Sequence, residues 1–235
     1  TDLTLTPSDE WISVSVEEDK MNITLTENNT GHVRRGSIAY KAGTNEDKIT
    51  ITQYDFEKDI AGEYMFLFTN AESGALQYLD ATLSKTGNAY SIELTGLGFS
   101  IPVTYNKTNG DLTLKAGQYI GDYDAYKVHT TLWDTKEGYL TWDTSISMSG
   151  SFEYVEEDGV GYTIALIEDD GSWGSYHPDA IRLEAFKSTT LSSSTRVGSL
   201  LSLIDPYLQR AHAGEAITYK MAKTPVKANV EFLLK

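Results

Sequence analysis

Apolar and polar side chains alternate with a period of two through the first part of the chain. Every second residue is apolar in 12–16 (ISVSV) and in 21–25 (MNITL), and the same spacing recurs in 38–40 and 49–51. A period of two predicts strands with one buried face and one wet face. Because the polar breakers EEDK, NNTG and AGTNED separate these runs, the pattern predicts a meander of short antiparallel strands, as in half of a sandwich.

A second series of strands is predicted from about residue 60 to residue 187. The connecting segments are rich in turn residues, and Asn109-Gly110 suits a type I′ hairpin, which needs positive φ at both central positions. So many strands joined by tight turns favour a closed or nearly closed antiparallel barrel, because closure removes exposed sheet edges. A long two-sheet sandwich is the alternative. The predicted strands are 63–69, 77–84, 89–94, 99–105, 111–115, 125–133, 139–148, 150–156, 161–168 and 180–187.

The last segment of the chain changes character. LSSSTRVG reads as a polar linker, SLLSLIDPYLQRA predicts a short helix interrupted near Pro206, and AITYKM and VKANVEFLL predict two closing strands. The sequence therefore predicts three parts: a short unit at 1–55, a barrel at 60–187, and at 188–235 a linker, short helix and closing strands that pack on the barrel.

Composition narrows the partners and the chemistry. The 34 acidic side chains outnumber the 19 basic ones, giving a net charge of −15, which argues against a nucleic-acid partner because phosphates would be repelled. The absence of cysteine excludes disulfides, thiolate nucleophiles and cysteine-ligated metals. No apolar run approaches the roughly 20 residues that span a bilayer. The sequence begins at Thr1 rather than Met, and we expect membrane attachment only through an anchor upstream of Thr1.

The run from Trp11 to Gln53 carries a family resemblance. It combines a Trp-Ile strand, an Asn-Thr-Gly turn, Arg35 followed by a Gly-Ser-Ile strand, and a closing Ile-Thr-Gln. In these features it resembles the C-terminal part of BACON domains, whose name stands for Bacteroidetes-associated carbohydrate-binding, often N-terminal. The resemblance implies an immunoglobulin-like sandwich, present here in partial form because only four or five strands fit before Asp55.

Arg34 and Arg35 stand at the start of one predicted strand. Adjacent residues of a strand point to opposite faces, so the two arginines cannot line one flat binding patch. We therefore interpret the pair as structural, with one arginine at the sheet edge paired to an acid such as Glu27 or Glu46.

Three segments of the second series carry a looser resemblance. GEYMF, YSIELTGLG and TNGDLTLKAGQ are similar to segments of calycin or lipocalin-type barrels attached to exported Bacteroidetes lipoproteins. The fold class expected is thus all-β, a partial immunoglobulin-like sandwich followed by an antiparallel calycin-like β-barrel. The resemblance implies an extracytoplasmic protein, an outer-membrane lipoprotein at the cell surface or in the periplasm, that captures glycans or adheres to mucin.

Aromatic residues in a predicted hairpin and in a Gly-rich loop are the candidate ligand-binding groups. Sugars present apolar C–H faces, on which an exposed aromatic ring can stack. Their hydroxyl groups can form hydrogen bonds with nearby carboxylates. A tryptophan that fills the barrel core or closes its end is the alternative interpretation. The predicted ligand-binding residues are Trp133, Tyr139, Trp142, Trp173, Tyr176 and His177.

Catalytic signatures are weak in this sequence. The four histidines are dispersed, no Gly-x-Ser-x-Gly elbow occurs, and the acidic run 168–170 lacks the alternating spacing of a calcium loop, so we interpret it as a solvated turn. We therefore predict no catalytic residue, no metal site and no cofactor. The function predicted is non-catalytic binding of glycans or mucin outside the cytoplasm. The alternatives are a structural or protein-interaction module with a filled barrel, and a small-ligand carrier with an open one; the oligomeric state is left open.

Overall fold

A computed structural model describes residues 3–18, 20–212 and 225–228, and the regular secondary structure of these residues is almost entirely β-strand. The all-β class predicted from the period-two pattern is confirmed. The chain forms two compact units that divide after Ile60, one comprising residues 1–60 and the other residues 61–235.

The N-terminal unit contains two small antiparallel sheets. One sheet has the order β1-β4-β5, and the other is the β2-β3 hairpin. Ile12, Val33 and Ile38 are buried in this unit. The chain then makes one π-helical turn at Phe56–Ile60. The strands are β1 (Leu3–Pro7), β2 (Ile12–Glu17), β3 (Lys20–Leu25), β4 (Arg34–Ala42) and β5 (Asn45–Gln53).

Arg34 ties several segments of the N-terminal unit together. Its guanidinium lies 4.5 Å from the Trp11 ring centroid, Nε donates to Gln53 Oε1 at 2.8 Å, and Nη2 donates to the Thr26 carbonyl at 2.7 Å. Gln53 Nε2 donates to the same carbonyl at 2.9 Å. Arg34 is therefore structural, as the sequence indicated, but these partners are an indole, an amide and a carbonyl rather than the expected acids.

The second unit contains the remaining strands. The prediction of successive short strands from residue 60 is confirmed, although 139–148 divides into two strands and residues 119–123 form one that the pattern did not show. The strands are β6 (Gly62–Asn70), β7 (Leu76–Thr86), β8 (Ala89–Leu94), β9 (Phe99–Tyr105), β10 (Asp111–Lys115), β11 (Tyr119–Tyr123), β12 (Tyr126–Asp134), β13 (Tyr139–Thr141), β14 (Ser147–Ser151), β15 (Glu153–Glu157), β16 (Val160–Leu166), β17 (Glu168–Asp169), β18 (Ala180–Phe186), β19 (Arg196–His212) and β20 (Val226–Lys227).

These strands form one curled sheet with the shape of a half-barrel. Its order is β11-β12-β18-β19-β6-β7-β8-β9-β10-β14-β17, with β13 beside β12, β16 beside β19 and β15 beside β16. All pairs are antiparallel except the short pairing of β20 with β7. The apolar side chains fill the concave interior, and large fully buried ones include Phe66, Phe68, Phe99 and Phe152.

Strand β19 corrects the short helix predicted around Pro206. Residues 196–212 form one long strand that pairs with β18 and then β16 along one edge and with β6 along the other. The register shifts between Ile204 and Tyr207, and Asp205 adopts φ 49° there, so Pro206 sits at an irregularity that needs no ladder hydrogen bond from it. Of the two predicted closing strands, AITYKM lies outside the described residues, and only the start of VKANVEFLL is described, as β20.

Candidate functional site

Three of the predicted aromatic residues come together at one end of the curled sheet. Tyr139 begins β13, while Trp173 and Tyr176 lie in the loop between β17 and β18. The ring centroids of Tyr139 and Tyr176 are 4.7 Å apart, and those of Trp173 and Tyr176 are 5.1 Å apart. Tyr139 is 53% exposed, so this aromatic cluster of Tyr139, Trp173 and Tyr176 presents ring surface to solvent.

Two carboxylates hold the loop that carries the cluster. Buried Asp134 accepts hydrogen bonds from the backbone N–H groups of His177 at 3.0 Å and Glu137 at 2.9 Å, and these bonds hold the pKa of its carboxyl below the ordinary value. Asp179 accepts from the backbone N–H of Thr135 at 2.9 Å and from its hydroxyl. The β12–β13 turn and the loop before β18 are thus fastened to each other, which keeps the aromatic cluster in place without a ligand.

Polar side chains lie beside the aromatic cluster along the chain. His177 Nδ1 is 2.6 Å from Asp169 Oδ2, and the imidazole side chain is 73% exposed. Asp170 accepts from the Ser147 hydroxyl at 2.6 Å, and this bond and those from Ser172 lower the pKa of the Asp170 carboxyl against the opposing effect of burial. The acidic run predicted to be a solvated turn is therefore largely occupied with local hydrogen bonds.

Trp133 and Trp142 are placed differently from the cluster. Trp133 pairs with Leu140 across the β12–β13 hairpin, and Asp134 pairs with Tyr139, so strand alternation puts Trp133 and Tyr139 on opposite faces of the sheet. Trp142 packs edge-on against buried Phe186, with ring centroids 5.8 Å apart. The six predicted residues thus do not form one patch.

Trp133 instead lines an open groove away from the aromatic cluster. The groove has a volume of about 400 Å³ and crosses β12, β18, β19 and the β6–β7 turn. The guanidinium of Arg182 lies 4.9 Å from the Trp133 ring centroid. This Trp133–Arg182 groove is lined by Asn70, Glu72, Gln77, Trp133, Arg182 and Ser202 among others.

A buried carboxylate lies under the groove. Glu184 is fully buried, with Arg196 Nε at 2.7 Å and Nη2 at 3.1 Å from its two oxygens and Arg182 Nε at 3.2 Å. Burial lowers the pKa of the Arg182 guanidinium, Glu184 opposes this effect, and Arg196 adds to it. Arg182 remains charged at neutral pH because the ordinary pKa of a guanidinium lies far above the physiological range.

Sequence reasoning missed Arg182, Glu184 and Arg196. The segment IRLEAF alternates charged residues with Ile181 and Leu183, which was a signal that one face of this strand is polar. The groups that cover this polar face come from β19 and from Trp142, which are distant from β18 in the sequence.

No group of three or more histidines, aspartates and glutamates that could hold a metal ion occurs among residues 3–18, 20–212 and 225–228. Within the same described part of the chain, none of the helical segments has the length and apolar character needed to cross a membrane.

Two family models match the chain. Residues 43–172 match DUF4987, described as a domain of unknown function, and residues 2–54 match BACON, described as a proposed N-terminal binding domain. The resemblance to BACON domains predicted from Trp11 to Gln53 is therefore confirmed, and the match begins nine residues earlier than that run (11 − 2 = 9). Searches of the curated proteins and of the solved structures found no match.

Proposed function

The chain belongs to the DUF4987 family, a domain of unknown function, and we propose that it is a non-catalytic module that binds glycans outside the cytoplasm. The observation that carries this proposal is the aromatic cluster of Tyr139, Trp173 and Tyr176, which is fixed in place and open to solvent. The match of residues 2–54 to a family of binding domains supports it from a different part of the chain.

The chemistry of the cluster suits a sugar better than a wholly apolar ligand. The rings are tilted by 56° and 47° to one another, so together they form an uneven apolar surface against which a pyranose C–H face can pack. His177 and Asp169 lie close to it along the chain and offer the donors and acceptors that ring hydroxyls require.

The filled interior favours binding at the surface over transport in a lumen. Phe66, Phe68 and Phe99 are fully buried within the curled sheet, together with many aliphatic side chains. A carrier of the lipocalin kind needs this volume for its ligand. The proposal is therefore a surface binder, and among the three classes considered the small-ligand carrier has the least support.

A glycan array that includes mucin O-glycans tests the proposal. We expect Tyr139→Ala and Trp173→Ala to weaken binding of an array-positive glycan about three- to tenfold, because a stacked aromatic ring contributes roughly 0.5–1.5 kcal/mol beyond its buried area. Tyr119→Ala is the matched control, since Tyr119 is a comparably exposed tyrosine, 46% against 53%, outside the cluster. An array without hits, or equal loss in the control, would contradict glycan binding at the cluster.

The extracytoplasmic location is part of the proposal and has its own test. It rests on the likeness to BACON domains and needs an export signal in the full gene product. We expect an antibody against residues 61–235 to label intact cells that express the native protein. Labelling that appears only after all membranes are lysed would contradict the extracytoplasmic location. It would not contradict the proposal that the aromatic cluster binds glycans.

A further inference from the structure

The Trp133–Arg182 groove holds an arginine that is fixed on two sides. The Trp133 ring lies against its guanidinium at 4.9 Å, and Nε donates to the Ser199 hydroxyl at 3.4 Å while lying 3.2 Å from Glu184. Among the residues that the structure describes, the two terminal nitrogens of Arg182 make no hydrogen bond. A guanidinium held in this way keeps its two-pronged donor edge ordered and ready for an acceptor.

The charges under the groove do not balance. One fully buried carboxylate, Glu184, lies between two arginines, whose side chains are 20% and 34% exposed. One positive charge therefore remains unneutralised in a partly desolvated setting, and Arg182 is the arginine that lines the groove. Because a partly buried charge is costly unless it is paired, an anion that reached Arg182 would gain a strong, charge-assisted contact.

The rim of the groove is polar and carries one opposing charge. Asn70 Nδ2 donates to Gln77 Oε1 at 3.3 Å, and within the described part of the chain the amide N–H₂ of Gln77 has no acceptor. Ser202 adds a hydroxyl, and Glu72 adds a carboxylate. Hydroxyls and amides suit a polyhydroxylated ligand, whereas the carboxylate of Glu72 disfavours one with many negative charges.

We propose that this groove binds a uronic acid residue of an acidic glycan, with the sugar carboxylate held by the terminal nitrogens of Arg182 and the hydroxyls held by the polar rim. A volume of about 400 Å³ lies toward the lower end of the range for small-molecule sites, about 300–1,000 Å³. The groove and the aromatic cluster use different residues and opposite faces of the β12–β13 hairpin, so this site does not depend on the proposed function.

Titration with a hyaluronan tetrasaccharide tests the site, with the carboxyl-reduced tetrasaccharide as the matched neutral probe. Isothermal titration gives the affinity, and the indole N–H signal of Trp133, assigned with Trp133→Phe, reports the location. We expect the acidic probe to bind and to shift that signal, and the neutral probe to bind at least about tenfold more weakly, because a hydrogen-bonded charge pair is lost.

Two variants separate the roles of charge and geometry. Arg182→Lys keeps a positive charge beside Glu184 but loses the two-pronged donor edge, and we expect at least about tenfold weaker binding of the acidic probe with little change in melting temperature. Glu72→Gln removes the opposing carboxylate of the rim and is expected to tighten binding. Tyr139→Ala should leave both affinities unchanged, which distinguishes failure at the aromatic cluster from failure at the groove.

Several results would overturn this assignment. They are equal affinity for the two tetrasaccharides, unchanged affinity in Arg182→Lys, and no binding of the acidic probe at millimolar concentration. A fourth is binding of a triglutamate peptide that depends on Arg182 while the tetrasaccharide does not bind, which would make the partner an acidic peptide instead of a sugar.

Discussion

At the scale of single residues, His129 is a buried polar group of the second unit with a hydrogen-bond partner for only one of its two ring nitrogens. His129 is 4% exposed, and its Nδ1 lies 3.1 Å from the Gly117 carbonyl, which can only accept, so Nδ1 carries the hydrogen. Its Nε2 is buried and has no hydrogen-bond partner in the described part of the chain. Protonation would create a buried N–H without an acceptor, and burial accordingly lowers the pKa of His129.

The stability of the second unit should therefore depend on pH through His129. Because its pKa in the folded state lies below the value of about 6.5 in the unfolded chain, the unfolded chain takes up the proton first as the pH falls. The contribution of His129 to the free energy of unfolding is therefore fully present above the pKa of the unfolded chain. It declines as the pH falls below that value, by at most about 1.4 kcal/mol per pH unit. Urea unfolding between pH 5 and 7 should show this slope in the wild type and a flatter one in His129→Gln. Equal slopes would mean that His129 does not cause the decline.

At the scale of elements, close crossings of strands decide where glycine is required. A Cβ on Gly150 in β14 would lie 1.8 Å from the carbonyl oxygen of Leu166 in β16, so the two backbones approach too closely for any side chain. In β19, by contrast, a Cβ on Gly198 would have no atom within 4 Å. Both glycines lie in strands, and only the tertiary structure separates the indispensable one from the tolerant one.

Alanine substitution at these two glycines should give opposite results. We expect Gly150→Ala to lower the free energy of unfolding by about 3 kcal/mol, because β14 and β16 must move apart. Gly198→Ala should change it by less than about 1 kcal/mol, with stabilisation possible because alanine restricts the unfolded chain. Urea unfolding followed by circular dichroism measures both. Comparable losses in the two variants would show that β14 and β16 do not approach as closely as described.

At the scale of the whole molecule, strand β19 joins parts of the second unit that are distant in sequence. It lies between β18 and β6 and also pairs with β16, and its Arg196 neutralises buried Glu184. Without it, β18 and β6 would become exposed edges, and the apolar interior beside Leu203 and Leu208 would open to water.

Residues 61–187 alone should therefore fail to fold, whereas residues 61–235 should fold. The physical reason is the loss of both β19 edges and of the Arg196–Glu184 ion pair. Dispersion of amide signals in a ¹H–¹⁵N spectrum and a cooperative thermal transition are the measurements, with 61–235 as the control. A dispersed spectrum from 61–187 would mean that the segment before residue 188 is complete without β19.

The sequence by itself determined the all-β class, most strand positions and the BACON-like features of residues 11–53, because period-two alternation and turn residues are local signals. It also predicted the aromatic residues of the candidate site, since a loop such as DDGSWGSYHPD cannot bury its rings within its own short length.

Only the tertiary structure decided that Tyr139, Trp173 and Tyr176 meet while Trp133 faces the other side, because a shift of one residue in the strand register exchanges the two faces of a strand. It also turned the segment around Pro206 into the long strand β19, since pairing with three strands outweighs a weak local preference for helix. The Arg182–Glu184–Arg196 contacts follow from that same pairing.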